Sequence, residues 1–71
     1  MDTNTLRING EPLEVPGGLT VDQLLAHLGR DPSVSGVAVA VDERVVRRSA
    51  WTETTVEDGA RVEIITAAQG G

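Results

Sequence analysis

Cysteine is absent from this 71-residue chain, and so are lysine, phenylalanine and tyrosine. Each absence removes a class of chemistry. Without cysteine no disulfide can staple the fold, which fits a reducing compartment, and no thiolate is available to a metal site. Without lysine there is no amine nucleophile, no Schiff-base former and no self-conjugation site. All six basic residues are arginine, a pattern that biased genome composition also produces. Basic charge is scarce overall. The net charge of −5 argues against nucleic acid as a partner, because that binding rests on basic contacts to phosphates. No apolar run approaches the roughly 18 residues of a membrane span. The opening MDTNTLRING lacks the charged-then-apolar order of a signal peptide. A cytoplasmic protein with no membrane contact is expected.

A chain this short makes one domain. It buries only about 60% of the surface its unfolded form exposes, so its core is small and leaves little room for an enclosing pocket. Leu6 and Ile8 alternate with Arg7 and Asn9, and after Gly10 the pair Leu13 and Val15 alternates with Pro12 and Glu14. Asn-Gly between alternating runs is a strong hairpin signal, since a type I′ turn needs positive φ at both central positions. That turn sets Ile8 opposite Glu11 and Leu6 opposite Leu13, with Leu6, Ile8, Leu13 and Val15 on one face. Pro12 falls opposite Arg7, where its missing N–H costs no ladder bond. Residues 1–4 are polar and expected to fray.

Pro16-Gly17-Gly18 ends the strand. Thr20 and Gln23 have capping-box spacing, and Val21, Leu24, Leu25 and Leu28 form one apolar helical stripe. Gly29 and Pro32 stop the helix. Val37, Val39 and Val41 share a strand face, Asp42-Glu43 turns into Arg44–Val46, and Arg61–Ile65 forms the last strand. One helix cannot cover both faces of a sheet, so the fold class is α+β. Strand order does not follow from spacing.

No side chain offers evident catalysis. His27 is the lone histidine and reads as a solvated helix residue; with no cysteine beside it, no metal site is expected. Ser33, Ser35 and Ser49 lack a base pattern or an elbow motif. The pairs Asp42/Glu43 and Glu57/Asp58 mark turns, and Trp51 reads first as a packing residue. What remains is the end of the chain, IITAAQGG. A terminal carboxylate is ionised at neutral pH and is an unreactive acyl donor until activated, for instance as an acyl-adenylate. Gly70 and Gly71 present no side chain to a narrow channel and accept any backbone conformation imposed on them. Extended, residues 67–71 could carry the carboxylate roughly 17 Å beyond the last strand.

The segments RINGEPLEVPGGLTVDQLLAHLG, VAVAVDERVVRRSAW, VEDGARVEIITA and the final GG, in that order and spacing, resemble the thiamine-biosynthesis sulfur carrier (ThiS) family of the ubiquitin-like β-grasp superfamily. Two turns depart from the family pattern: Asp42-Glu43 stands where Asn-Gly is frequent, and Ala60 where an acidic residue is frequent. The resemblance implies a mixed sheet of four to five strands on one helix, with first and last strands neighbouring at the centre. Residues 1–66 would form the domain and residues 67–71 a flexible Gly-Gly tail.

It further implies that an E1-like (ThiF-like) enzyme, using ATP and magnesium, adenylates the Gly71 carboxylate. A cysteine desulfurase relay then supplies sulfur to make a thiocarboxylate, and a thiazole synthase (ThiG-like) accepts that sulfur. The chain itself would bind no cofactor and would be a carrier, not an enzyme, with Gly70 recognised as part of the tail. Val45, Arg48, Trp51 and Ile65 are candidate partner contacts on the sheet face away from the helix. The alternatives are a molybdopterin synthase small subunit, a carrier for another sulfur-containing metabolite, a ubiquitin-like protein modifier and a plain interaction domain.

Overall fold

The opening hairpin forms as the alternation predicts. Strands β1 (Thr3–Ile8) and β2 (Glu11–Pro16) pair antiparallel with Ile8 opposite Glu11, Arg7 opposite Pro12 and Leu6 opposite Leu13. Asn9 and Gly10 both take positive φ, 52° and 88°, as a type I′ turn requires. In this computed structural model, which describes residues 2–66, the expected fraying does not reach residue 3. Thr3 already pairs with Pro16, and the Gly17 N–H donates to the Asp2 carbonyl at 2.9 Å. Leu6 and Val15 are buried and Ile8 packs against the core, whereas Leu13 is 38% exposed. Leu13 lies on β2, an edge strand of the sheet.

Helix α1 spans Val21–His27. The Thr20/Gln23 capping box is present: Gln23 Oε1 accepts from the Thr20 N–H at 3.0 Å, and the Thr20 hydroxyl donates to Asp22 Oδ1 at 2.6 Å. Gly29 takes φ 82° past the helix end, and its N–H and that of Arg30 reach the Ala26 and Leu25 carbonyls. Val21, Leu24 and Leu25 are at most 1% exposed. Seven residues cannot hold a helix in water, so this buried stripe is what keeps α1 folded.

β3 (Val37–Val41), β4 (Arg44–Val46), a short 3₁₀ turn (Arg48–Ala50) and β5 (Arg61–Thr66) complete the chain. The sheet runs β2-β1-β5-β3-β4, with β5 parallel to β1 and antiparallel to β3. The expected α+β architecture and central first and last strands are both present. Val39, Val62 and Ile64 point to the helix and join Trp51 and Val56 in the core. Ala60 is also core, 4% exposed, so this departure from the family pattern serves packing and not the turn alone.

Three turn side chains extend the ladders of β5. Asp58 Oδ1 accepts from the Thr5 N–H at 2.8 Å while the Gly59 N–H donates to the Thr5 carbonyl. Asp42 Oδ1 accepts from the Arg61 N–H at 2.9 Å while the Asp42 N–H donates to the Arg61 carbonyl. Asn9 does the same for Ile64, as described below. Asp42 and Glu43 both have positive φ, 52° and 72°, so the turn keeps type I′ geometry without glycine. The Glu43–Arg61 ion pair, 3.1 Å long and largely exposed, offsets little of that strain.

Two stability outcomes follow. Glu43→Gly removes a side chain from a left-handed position, a conformation unfavourable by roughly 1–2 kcal/mol for an L-residue. Allowing for the extra entropy of glycine in the unfolded chain, the variant gains about 1 kcal/mol net. The thermal midpoint should then rise by about 4–8 °C, read by circular dichroism. Leu24→Ala, emptying a fully buried site, should lose about 2–5 kcal/mol in urea unfolding, a large share of the stability of so small a domain.

Candidate functional site

Gly70 and Gly71, the residues predicted to carry the chemistry, lie outside the described residues. The site can be built up to the point where the arm begins. β5 outruns its parallel neighbour: the last β1 pairing is Ile8 with Val62, whereas the β3 pairing continues to Val37 with Thr66. On the β1 side, the Asn9 N–H donates to the Val62 carbonyl at 2.8 Å. One step further, Asn9 Oδ1 accepts from the Ile64 N–H at 2.8 Å and Asn9 Nδ2 donates to the Ile64 carbonyl at 3.2 Å. A guanidinium nitrogen of Arg30 donates to Thr66 Oγ1 at 3.2 Å. The base of the arm is therefore held on both sides.

Alternation along β5 sends Val62 and Ile64 into the core and Ile65 to the opposite face, where it is 58% exposed. Ala38 lies opposite Ile65, and Ala40 opposite both Glu63 and Val45, so these side chains share that face. Val45 is 79% exposed. Two small alanines between two exposed aliphatics leave a shallow apolar surface next to the strand that feeds the arm. Val45 and Ile65 are thus where the sequence reading puts them.

Trp51 is not on that surface. It is 3% exposed, and its indole N–H donates to the Val46 carbonyl at 2.8 Å, so it is a core residue with a satisfied polar atom. This corrects the expectation of Trp51 as a partner contact. Arg48 lies over its ring, 4.5 Å from the centroid, a cation–π contact. The Arg48 guanidinium also donates to the Pro32 and Val34 carbonyls. Its contacts tie the 31–35 loop to the 3₁₀ turn. Part of it still borders a shallow depression of about 340 Å³ shared with Ser35–Ala38 and Ile65. In the same loop the Ser33 hydroxyl, and then its N–H, donate to Asp31 Oδ1 and hold that carboxyl below its ordinary value.

Among the described residues no group of three or more histidines and carboxylates could hold a metal ion. Among the described residues no helix is long and apolar enough to cross a membrane. His27 sits exposed at the end of α1. The sequence reading missed the second use of Asn9. Nothing in the dipeptide Asn-Gly distinguishes a turn asparagine with an idle carboxamide from one that grips a neighbouring strand.

Residues 6–71 match the ThiS family. The chain is 30% identical over 63 residues to the sulfur carrier protein ThiS of Escherichia coli (strain K12), covering 89% of this chain and 92% of that protein. It is 36% identical over 66 residues to part of a thiazole synthase from Paramagnetospirillum magneticum, spanning only 20% of that protein's length. The crystal structure of the thiamine biosynthesis protein ThiS from Geobacter metallireducens superposes with a TM-score of 0.79 at 36% identity, covering 94% of this chain and 99% of that one. The solution structure of a thiamine biosynthesis protein from the same organism gives 0.73, again at 36% identity, over 94% and 87% of the two chains. With its β-grasp sheet, its apolar outer face and a family match that runs through residue 71, the chain belongs to the ThiS family, the non-enzymatic sulfur carriers of thiamine biosynthesis.

Proposed function

We propose that the carboxylate of Gly71 is the sulfur-bearing group. The observation that carries this reading is the family match, which continues past the last described strand residue to Gly71 itself. The chemistry is direct. A Gly71 carboxylate oxygen attacks the α-phosphorus of ATP in a partner adenylating enzyme, magnesium assists, and pyrophosphate leaves. The persulfide carried by a cysteine desulfurase relay attacks the acyl carbon and AMP departs, leaving an acyl disulfide. A thiol reductant then cleaves its S–S bond, so that the thiocarboxylate remains and the thiol leaves as a disulfide with the relay cysteine. The ATP and magnesium belong to the partner; family membership implies no cofactor resident on this chain.

A thiazole synthase is the acceptor in this reading. Support comes from the Paramagnetospirillum protein, in which a segment similar to this chain is part of a polypeptide named thiazole synthase. Joining carrier and acceptor raises their effective concentration, which helps only if the two must meet. The enzymes dock on the apolar face of Val45 and Ile65, beside the strand that leads to Gly70 and Gly71. Gly70 lets the arm enter a narrow channel without a side chain. A cytoplasmic location follows from those partners.

Intact-mass analysis tests the tail. Incubation with an adenylating enzyme, ATP and a sulfur source should add the mass difference between one sulfur and one oxygen, located on the C-terminal peptide. Removal of Gly70 and Gly71 should abolish the change while leaving the thermal midpoint within about 1–2 °C, because surface residues contribute little to stability. Lysine-linked conjugates without a thiocarboxylate would instead mark a protein modifier. Val45→Asp and Ile65→Asp should each weaken docking at least tenfold in KM for adenylation. Both positions are exposed, so unfolding free energies should stay within roughly 0.5 kcal/mol of the parent.

A further inference from the structure

We propose that Asn9 is a positioning residue for the carrier reaction: its carboxamide clamps Ile64 and sets the direction in which the C-terminal arm leaves the sheet. The proposal rests on Gly71 being the reactive end.

A type I′ turn asks only that Asn9 tolerate positive φ, here 52°. Glycine meets that demand, and an asparagine carboxamide in such a turn can face water. In this fold it does not. Residues 62 and 64 of β5 aim their backbone polar groups toward β1, as the bonds from Arg7 and Asn9 to the Ala60 and Val62 carbonyls establish for that side. β1 ends at Ile8, so no backbone is left to meet Ile64. The carboxamide has one acceptor and one donor edge, like a peptide group. Asn9 Oδ1 takes the Ile64 N–H at 2.8 Å, and Asn9 Nδ2 gives to the Ile64 carbonyl at 3.2 Å. In a parallel ladder a continued β1 would have met these two groups from two successive positions of its backbone; here one carboxamide meets both. The side chain lengthens the parallel ladder by one step without lengthening the strand.

Ile64 is the last point at which β5 is held from the β1 side among the described bonds; beyond it Ile65 pairs with Ala38 of β3 and the Thr66 hydroxyl accepts from Arg30. From Ile64 seven residues, 65–71, lead to the carboxylate. A change of tilt at Ile64 acts through a reach of up to roughly 23–25 Å when those residues are extended. At the far end a misplacement of about 1 Å can cost up to 100-fold in rate. The exposed face that docks with the enzyme is a separate surface, so loss of the clamp should alter presentation of the tail and not docking.

Adenylation kinetics with amide hydrogen exchange separate these effects. Asn9→Gly keeps the turn and removes both side-chain bonds. Asn9→Asp keeps the acceptor for the Ile64 N–H but sets a carboxylate oxygen against the Ile64 carbonyl. Leu24→Ala lowers stability without touching the clamp. Pyrophosphate release is measured well below every thermal midpoint. Asn9→Gly should exchange the Ile64 amide faster and lower kcat about tenfold, with KM within about twofold of the parent. Asn9→Asp should also lower kcat, so the test stands if the glycine variant folds poorly. Leu24→Ala should keep both constants. Parent-like kcat in a folded Asn9 variant, or an equal loss in Leu24→Ala, overturns the proposal. Failure of the parent chain to be adenylated would instead overturn the role of Gly71.

Discussion

The backbone polar groups of β5 point alternately to β1 and to β3, each must find a partner there, and the rest of the molecule is arranged to supply one. The strand lies at the centre of the sheet, parallel to β1 and antiparallel to β3. Neither neighbour is long enough alone. Asp58 at its start, Asp42 beside Arg61 and Asn9 beside Ile64 complete the ladders with side chains. Buried backbone groups left unpaired cost as much as lost hydrogen bonds, so these short polar residues do more than turn the chain.

That central strand also joins the two faces of the protein. Val62 and Ile64 face α1 and anchor a core that includes Leu24, Leu25 and Trp51. Ile65 faces outward over Ala38, with Val45 on the same side. A six-residue strand thus serves the core on one side and the exposed outer face on the other. A carrier needs no pocket of its own. It needs a rigid body for partners to grip and an end that can be presented to them, which is within reach of a domain with one helix and a small core.

Compensation elsewhere is local. The Asp42-Glu43 turn accepts two left-handed L-residues because Asp42 gains the Arg61 N–H. Arg48 ties the 31–35 loop to the 3₁₀ turn through the Pro32 and Val34 carbonyls while lying over Trp51, whose indole is bonded in turn to the end of β4 at Val46.

Local periodicity and turn chemistry by themselves determined the hairpin, the helix with its cap and stop, the strands and the α+β class, because these depend on neighbours a few residues apart. The ordered set of motifs determined the family, and with it the expectation for Gly71. Spacing left the strand order open and only the family resemblance put the first and last strands at the centre; the full order was decided by the tertiary structure, since the parallel pairing of β1 with β5 brings together residues more than fifty positions apart. So too were the place of Ala60 in the core and the exposure of Leu13 at an edge, whereas the burial of Trp51 agrees with its first reading as a packing residue. The grip of Asn9 on Ile64 belongs with them: a side-chain hydrogen bond across 55 positions leaves no periodic trace in the sequence, because its partner is a backbone group that any residue would supply.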